Sequence, residues 1–124
     1  AAAVEGSGVD MMLGVGGAPE GVLAAAALKC MGGDMQGRLV FMNNEERDRA
    51  KSMGIDDFEK VYQCDEMANG DVVFAATGVT SGELLRGIRY YSGGAETHSI
   101  VMRSKSRTIR FVEARHSFDF KPKY

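Results

Sequence analysis

Val9-Asp10-Met11-Met12-Leu13-Gly14-Val15-Gly16-Gly17-Ala18-Pro19-Glu20-Gly21-Val22-Leu23-Ala24-Ala25-Ala26-Ala27-Leu28 is the stretch that decides the expected fold. Val9 to Leu13 is a short apolar run ended by glycine, which predicts a buried strand. Gly14 to Ala18 cannot easily continue a strand, so it predicts a loop. Pro19 opens a helix, because a proline at a helix start gives up no needed N–H. Ala24 to Lys29 is among the strongest helix-forming runs available, and Gly32-Gly33 ends it. Strand, glycine loop and helix together form the first unit of an α/β pattern.

The rest of the chain extends that pattern. Met35 to Met42 reads as extended, and Asn44-Glu45-Glu46 as a helix start, with an Asn cap and acids in the first turn. That helix runs to Met53 and stops at Gly54. Lys60 to Tyr62 predicts a short strand and Cys64 to Ala68 a helical turn. Asp71 to Ala76 predicts a second buried strand, ended by Thr77-Gly78, and Thr80 to Glu83 starts a short helix that carries Leu84 and Leu85. Ser99–Arg103 and Thr108–Arg115 are β-rich and joined by Ser104-Lys105-Ser106-Arg107, a hairpin by pattern. The polar tail from Ser117 to Tyr124 is expected to fray. Ala1 in place of Met, with Ala1-Ala2-Ala3-Val4 reading like an element already under way, sets the expectation of a segment cut from something longer.

The chemistry concentrates at the glycine loop. A helix start offers unpaired N–H groups and a positive dipole end, and glycines let another group approach that backbone closely. Together they make an anion site, most often for phosphate. The cap position is expected at Ala18, which has no capping oxygen to occupy those donors. Two standard phosphate motifs do not fit. The dinucleotide pattern needs a third glycine where Pro19 stands, and the nucleoside-triphosphate loop needs Lys and then Ser/Thr where Val22-Leu23 follow Gly21. A carboxylate, Glu20, remains in the first helical turn. It would repel a bound phosphate unless a divalent cation lay between them, and carboxylate oxygens suit Mg²⁺ or Mn²⁺. Glu20 can equally serve only as a partner for the helix dipole. Spacing alone leaves both readings open.

At 124 residues the chain is one domain in size, and at 44% hydrophobic and 26% charged it is an ordinary globular sequence, not a disordered or collagen-like one. Its longest apolar run, Val22–Leu28, falls far short of the roughly 20 residues that span a bilayer. The charge is divided unevenly: residues 1–85 carry 6 Lys/Arg and 14 Asp/Glu, residues 86–124 carry 9 and 3. Such asymmetry can mark a nucleic-acid or phosphate partner, or simply a solvated basic β-surface, and the second is preferred. Arg103, Lys105, Arg107 and Arg110 are read chiefly as solubilising charge on a turn and an edge strand. His98 and His116 have no partner motif and are read as surface or structural. Thr77, ending a strand, is a lesser candidate for lining the site. Cys30 and Cys64 have no second pair nearby, which fits neither a disulfide framework nor a zinc site and predicts reduced thiols.

Gly16-Gly17-Ala18-Pro19-Glu20-Gly21-Val22, Ala24-Ala25-Ala26 and Gly33-Asp34-Met35-Gln36-Gly37-Arg38-Leu39 closely resemble the class II fructose-1,6-bisphosphatases of bacteria and cyanobacteria. The resemblance continues through Ala50–Ile55, Val73–Thr80 and Arg103–Ile109-Arg110, nearly the whole chain. It implies an α/β fold, the layered αβα sandwich of the metal-dependent, lithium-sensitive sugar phosphatases, of which this chain would be the C-terminal portion. It implies hydrolysis of the 1-phosphate of fructose 1,6-bisphosphate to fructose 6-phosphate, with sedoheptulose 1,7-bisphosphate accepted by some members. Glu20 matches the family's late metal-ligand glutamate, for Mn²⁺ or Mg²⁺, and Gly17 the glycine whose backbone contacts the sugar phosphate.

The family's other acidic ligands and its Asp-Gly-Asp substrate segment belong to its N-terminal half, so the 124 residues are expected to be inactive alone. The partners implied are a sugar bisphosphate and, for the full-length enzyme, its own copies in a dimer or tetramer. Neither nucleic acid nor membrane is expected, and the location implied is cytoplasmic. Two alternatives stand beside the enzyme: a non-catalytic binding or assembly module that keeps the phosphatase fold, and, more weakly, a nucleic-acid binder driven by the basic C-terminal third.

Overall fold

A computed structural model describes residues 6–120. Helix α1 (Ala18–Met31) is the pivot of the fold. Its alanine-rich body forms the helix, and Gly32 at φ 79° turns the chain out of it while donating to the Leu28 carbonyl. The small side chains let two different layers approach the same helix. On one side Ala25 packs with Cys64 and Ala68, supported by Leu28, Met35 and Met67. On the other, Cys30 packs with Ile100 and Met102, supported by Ala27, Phe74, Ala76, Leu84 and Leu85. Val72 touches both groups and links them.

The first layer holds a two-stranded antiparallel ribbon, β1 (Gln36–Arg38) with β2 (Val61–Gln63), and the one-turn helix α3 (Cys64–Met67). Helix α2 (Asn44–Ser52) lies between the two strands in sequence. It is capped by Asn43, one residue before the expected cap, whose Oδ1 accepts from Glu46 N at 2.9 Å. Its one buried side chain is Ala50. Arg47 lies over the rings of Phe41 and Phe58, which meet edge to face at 5.1 Å, so this polar helix is held by a satellite aromatic pair.

The second layer is a four-stranded antiparallel sheet of β3 (Val73–Thr77), β4 (Arg89–Tyr91), β5 (Gly94–Arg103) and β6 (Thr108–Ser117). β6 pairs with β5 along its whole length, Gly94↔Ser117 to Arg103↔Thr108. The opposite edge of β5 is shared, β3 pairing with residues 99–103 and β4 with 94–96. The alternation of strand side chains turns Phe74, Ala76, Ile100 and Met102 toward α1, and Val73, Ala75, Val101 and Val112 away from it.

Asp71 fixes the hairpin between β5 and β6. Its carboxylate accepts from Arg103 Nε at 3.2 Å and from Ser104 Oγ and Lys105 N at 3.3 Å, while Ser104 Oγ accepts from Val72 N at 2.8 Å. Arg107 then takes the left-handed conformation, φ 47°, that closes the turn. The Arg103 guanidinium holds the Asp71 carboxyl below its ordinary value of 3.8. A carboxyl lowered on folding stabilises the protein above its ordinary value, and that contribution is lost as pH falls through the lowered value. Wild type is therefore expected to melt above Arg103→Ala at neutral pH, with the gap closing below about pH 4. Thermal melts from pH 7 to pH 3 test this, and a gap that does not change with pH contradicts it.

Both cysteines are free, as the sequence predicts, and both are buried. Cys64 Sγ lies 3.3 Å from the Ala25 carbonyl, Cys30 Sγ 3.7 Å from that of Val72, and burial pushes both thiols up. The thiolate is the reactive form, so a disulfide-exchange reagent at pH 7 should label neither cysteine in the folded protein and both after denaturation. Rapid labelling of the native protein would contradict this packing.

Several expectations are corrected. Val9 to Leu13 is not a buried strand: it is irregular, with Met11, Met12 and Leu13 72%, 75% and 87% exposed. A strand needs a neighbour for its N–H and C=O groups, and among the described residues none pairs with it. The strand at Asp71–Ala76 is Val73–Thr77 and only its α1 face is covered, with Val73 64% exposed. Thr80–Leu85 is not a helix. Leu84 and Leu85 turn into the core, and the loop is closed by Ile88 N to Val79 O and Gly87 N to Ser81 Oγ. The helix cap falls on Gly17 and not on Ala18. The Ala1–Val4 expectation and the last residues of the tail lie outside the described residues.

Candidate metal and phosphate site

The glycine loop and helix stand where the sequence puts them, and the local geometry follows from their residue types. Gly17 is the N-cap of α1, extended at φ −66° and ψ 149°, and makes no side-chain cap bond. Gly21 N closes the first helical turn on Gly17 O at 3.0 Å. The N–H groups of Ala18 and Glu20 precede that bond and are open donors, while Pro19 has none to offer. Glu20 is the third residue past the cap, the position from which a glutamate side chain can bend back over a helix start.

It does bend back. The carboxylate of Glu20 fills the space above Gly17 where any other residue would carry a Cβ, with its Cδ only 3.2 Å from that point. It is exposed, and among the described residues no Lys, Arg or His pairs with it. Hard carboxylate oxygens with no cation partner, beside open backbone N–H groups, suit a divalent cation that is itself bound to an anion. Gly17 and Glu20 are thus brought together. No group of three or more His, Cys, Asp or Glu converges on a possible metal position among the described residues.

The other residues weighed in the sequence fall elsewhere. Thr77 Oγ1 is 2.8 Å from Ser99 Oγ on the sheet face turned away from α1, so it does not line this site. His98 Nδ1 accepts from Arg86 N at 3.1 Å and its ring stacks on Phe111, while His116 Nε2 lies 3.0 Å from Thr97 Oγ1 on the opposite face. Each histidine has a partner within the sheet layer. Arg103 is engaged by Asp71, and Lys105, Arg107 and Arg110 are exposed on the hairpin.

A cleft of about 670 Å³ opens at the other end of α1, between Lys29, Asp34, Asp65, Asp71, Lys105 and Arg107. The helical rise from Glu20 to Lys29 and Gly32 puts it about 14–18 Å from Glu20. Lys29 is paired with Asp65 at 2.9 Å and Asp71 with Arg103, so its carboxylates are largely neutralised and it is not where the loop chemistry points. Nothing in the sequence marks this cleft, because it needs the hairpin turn folded against α1. The sequence also does not reveal the cluster in which Glu96 accepts from Arg89 Nε at 2.9 Å and pairs with Arg115 at 2.9 Å. Those two guanidinium groups, Arg89 first, hold the Glu96 carboxyl below the usual range.

Residues 1–116 match the model of the family described as bacterial fructose-1,6-bisphosphatase, glpX-encoded. Two relatives from Synechococcus, strains JA-3-3Ab and JA-2-3B'a(2-13), are each 44% identical over 131 residues. A relative from Microcystis aeruginosa is 42% identical over 135 residues. All three are named D-fructose 1,6-bisphosphatase class 2/sedoheptulose 1,7-bisphosphatase. The matches cover 95% to 98% of this chain but 38% to 39% of the relatives, so the chain spans well under half their length.

Proposed function

The chain belongs to the family of bacterial, glpX-encoded fructose-1,6-bisphosphatases, and on that premise we propose that it forms the Glu20 portion of a metal-dependent sugar bisphosphatase. The reaction is hydrolysis of the 1-phosphate of fructose 1,6-bisphosphate, with sedoheptulose 1,7-bisphosphate as the second substrate that the relatives' names suggest. The observation that carries the reading is the Glu20 carboxylate, exposed over Gly17 at the open start of α1 with no cationic partner among the described residues.

Glu20 is the metal ligand this chain supplies, and a bound Mn²⁺ or Mg²⁺ would supply neutralisation of phosphate charge and activation of water. The N–H groups at the start of α1, with the helix dipole behind them, bind and orient the phosphate. Gly17 lets the phosphate come close to the backbone. Glu20 is held on a helix end and not on a mobile loop, which fixes its carboxylate relative to those donors. The remaining ligands come from polypeptide beyond these 124 residues, in the share of the relatives' length that this chain does not span.

The same reading places the two layers around α1 in the layered αβα sandwich of the lithium-sensitive sugar phosphatases. What supports it is the apolar surface that the fold leaves open: Val73 and Val112 on the outer sheet face and Leu23 on α1 are 64%, 44% and 59% exposed. No described helix is long and apolar enough to cross a membrane.

The full-length enzyme carrying this chain is expected to release phosphate from fructose 1,6-bisphosphate with Mn²⁺ and to stop when EDTA is added. The 124 residues alone are expected to release none, since no group of three or more possible metal ligands forms among the described residues. Absence of any metal-dependent release by the full-length protein would favour a non-catalytic module that keeps the fold.

A further inference from the structure

Gly17 has a second task besides letting a phosphate approach the backbone. The space its missing Cβ leaves is already taken, by Glu20. A Cβ on Gly17 would collide with Glu20 Oε2 and come within 3.2 Å of Cδ and 3.8 Å of Oε1, so the three nearest atoms beyond the adjoining residues all belong to the Glu20 carboxylate. The other glycines of the loop, Gly14 and Gly16, and the following Gly21 have nothing within 4 Å of their Cβ positions. Among the glycines at residues 14–21, the absent side chain therefore matters sterically at Gly17 alone. Conformation does not demand glycine there: φ −66° and ψ 149° are open to any residue.

We infer that Gly17 is a positioning residue for the metal ligand: it is glycine so that the Glu20 carboxylate can fold back over the helix start, where cation and phosphate would meet. The inference rests on the reading of Glu20 as a metal ligand and adds the reason its carboxylate takes that place. The clash is with the far end of a flexible side chain. Adding a methyl group therefore does not disturb the backbone; it swings the carboxylate outward. Folding and ligand placement are separable at this position, since alanine is a poorer N-cap than glycine but fits the extended backbone there, and it removes a ligand from its aimed position.

The test is Mn²⁺ affinity of the full-length enzyme without substrate, read from the electron paramagnetic resonance signal of free Mn²⁺, for wild type, Gly17→Ala, Gly16→Ala and Glu20→Gln. Gly17→Ala is expected to bind Mn²⁺ about 10-fold more weakly while remaining folded, with only the small fall in melting temperature that a poorer N-cap brings; the factor is the scale seen when support of a metal ligand is lost. Gly16→Ala, with open space at its Cβ, should keep the wild-type affinity. If Gly17 serves only phosphate approach, Gly17→Ala raises KM and leaves Mn²⁺ affinity alone, and the inference is overturned while the reading of Glu20 stands. An equal loss in Gly16→Ala assigns the effect to loop freedom and also overturns it. If Glu20→Gln binds Mn²⁺ like wild type, the reading of Glu20 fails, and the inference with it.

Discussion

Glu20→Gln in the full-length enzyme is expected to lower Mn²⁺ affinity, and the rate at limiting Mn²⁺, by at least about 10-fold. That factor is the lower end of what is lost when a residue that merely supports a ligand is removed, and a ligand itself should cost no less. Glutamine keeps the length, shape and helix propensity of glutamate, so α1 and its cap should be unchanged and the melting temperature nearly so. It removes the negative charge and half of the oxygen donors, which are what a hard divalent cation requires. The alternative role of Glu20, as partner to the helix dipole, predicts a different result: a stability loss of about 0.3–1 kcal/mol with no change in metal binding. Metal titration and thermal melting of the same variant therefore separate the two. Full activity at limiting Mn²⁺ would end the ligand assignment.

Ile100→Ala is expected to destabilise the protein by about 2–5 kcal/mol, the cost of deleting a fully buried branched side chain and leaving a cavity. Ile100 is 0% exposed, lies between Ala76 and Phe111 in the register of the sheet, and packs in the group formed with Cys30 and Met102. It therefore joins β3, β5 and α1 at one point. Few residues are equally buried, so little surrounding mass can collapse into the gap. Val15→Ala is the matched control: Val15 is 91% exposed and should change stability by no more than about 0.5 kcal/mol. Denaturant unfolding of both variants decides the matter, and equal midpoints for Ile100→Ala and Val15→Ala would show that the sheet does not pack on α1 through Ile100.

The helix start with its glycines and glutamate was legible because it is local. Proline at a helix start, glycines before it, an alanine run after it and a glutamate in the first turn act over a few residues. None of those effects depends on distant chain. The hairpin of β5 and β6 was legible for the same reason, as two β-rich runs around a polar turn. The short strand β2 and the turn α3 also fall where composition puts them. What was not legible needed partners far away in sequence. Val9–Leu13 has the composition of a buried strand, but composition carries no neighbour, and its side chains stay exposed. Thr80 to Glu83 suggested the start of a helix carrying Leu84 and Leu85, whereas the core under the sheet draws those two leucines inward from a loop. Thr77 was placed at the right strand end, but which face it takes is set by the register against Ser99, and that turns it from the site.

The sequence by itself determined the helix start with its open N–H groups, the presence of a carboxylate there, the free state of both cysteines and the resemblance to the sugar bisphosphatases. All follow from residue identity and short-range backbone rules, which hold whatever the rest of the chain does. Only the tertiary structure decided that β3 and β4 join that hairpin in one antiparallel sheet, that α1 serves two layers at once, that Asp71 ties the hairpin down, and that the Glu20 carboxylate lies in the space Gly17 leaves. These depend on which surfaces meet. Packing and excluded volume act between atoms that sequence separation does not rank, so they become readable only when the chain has folded.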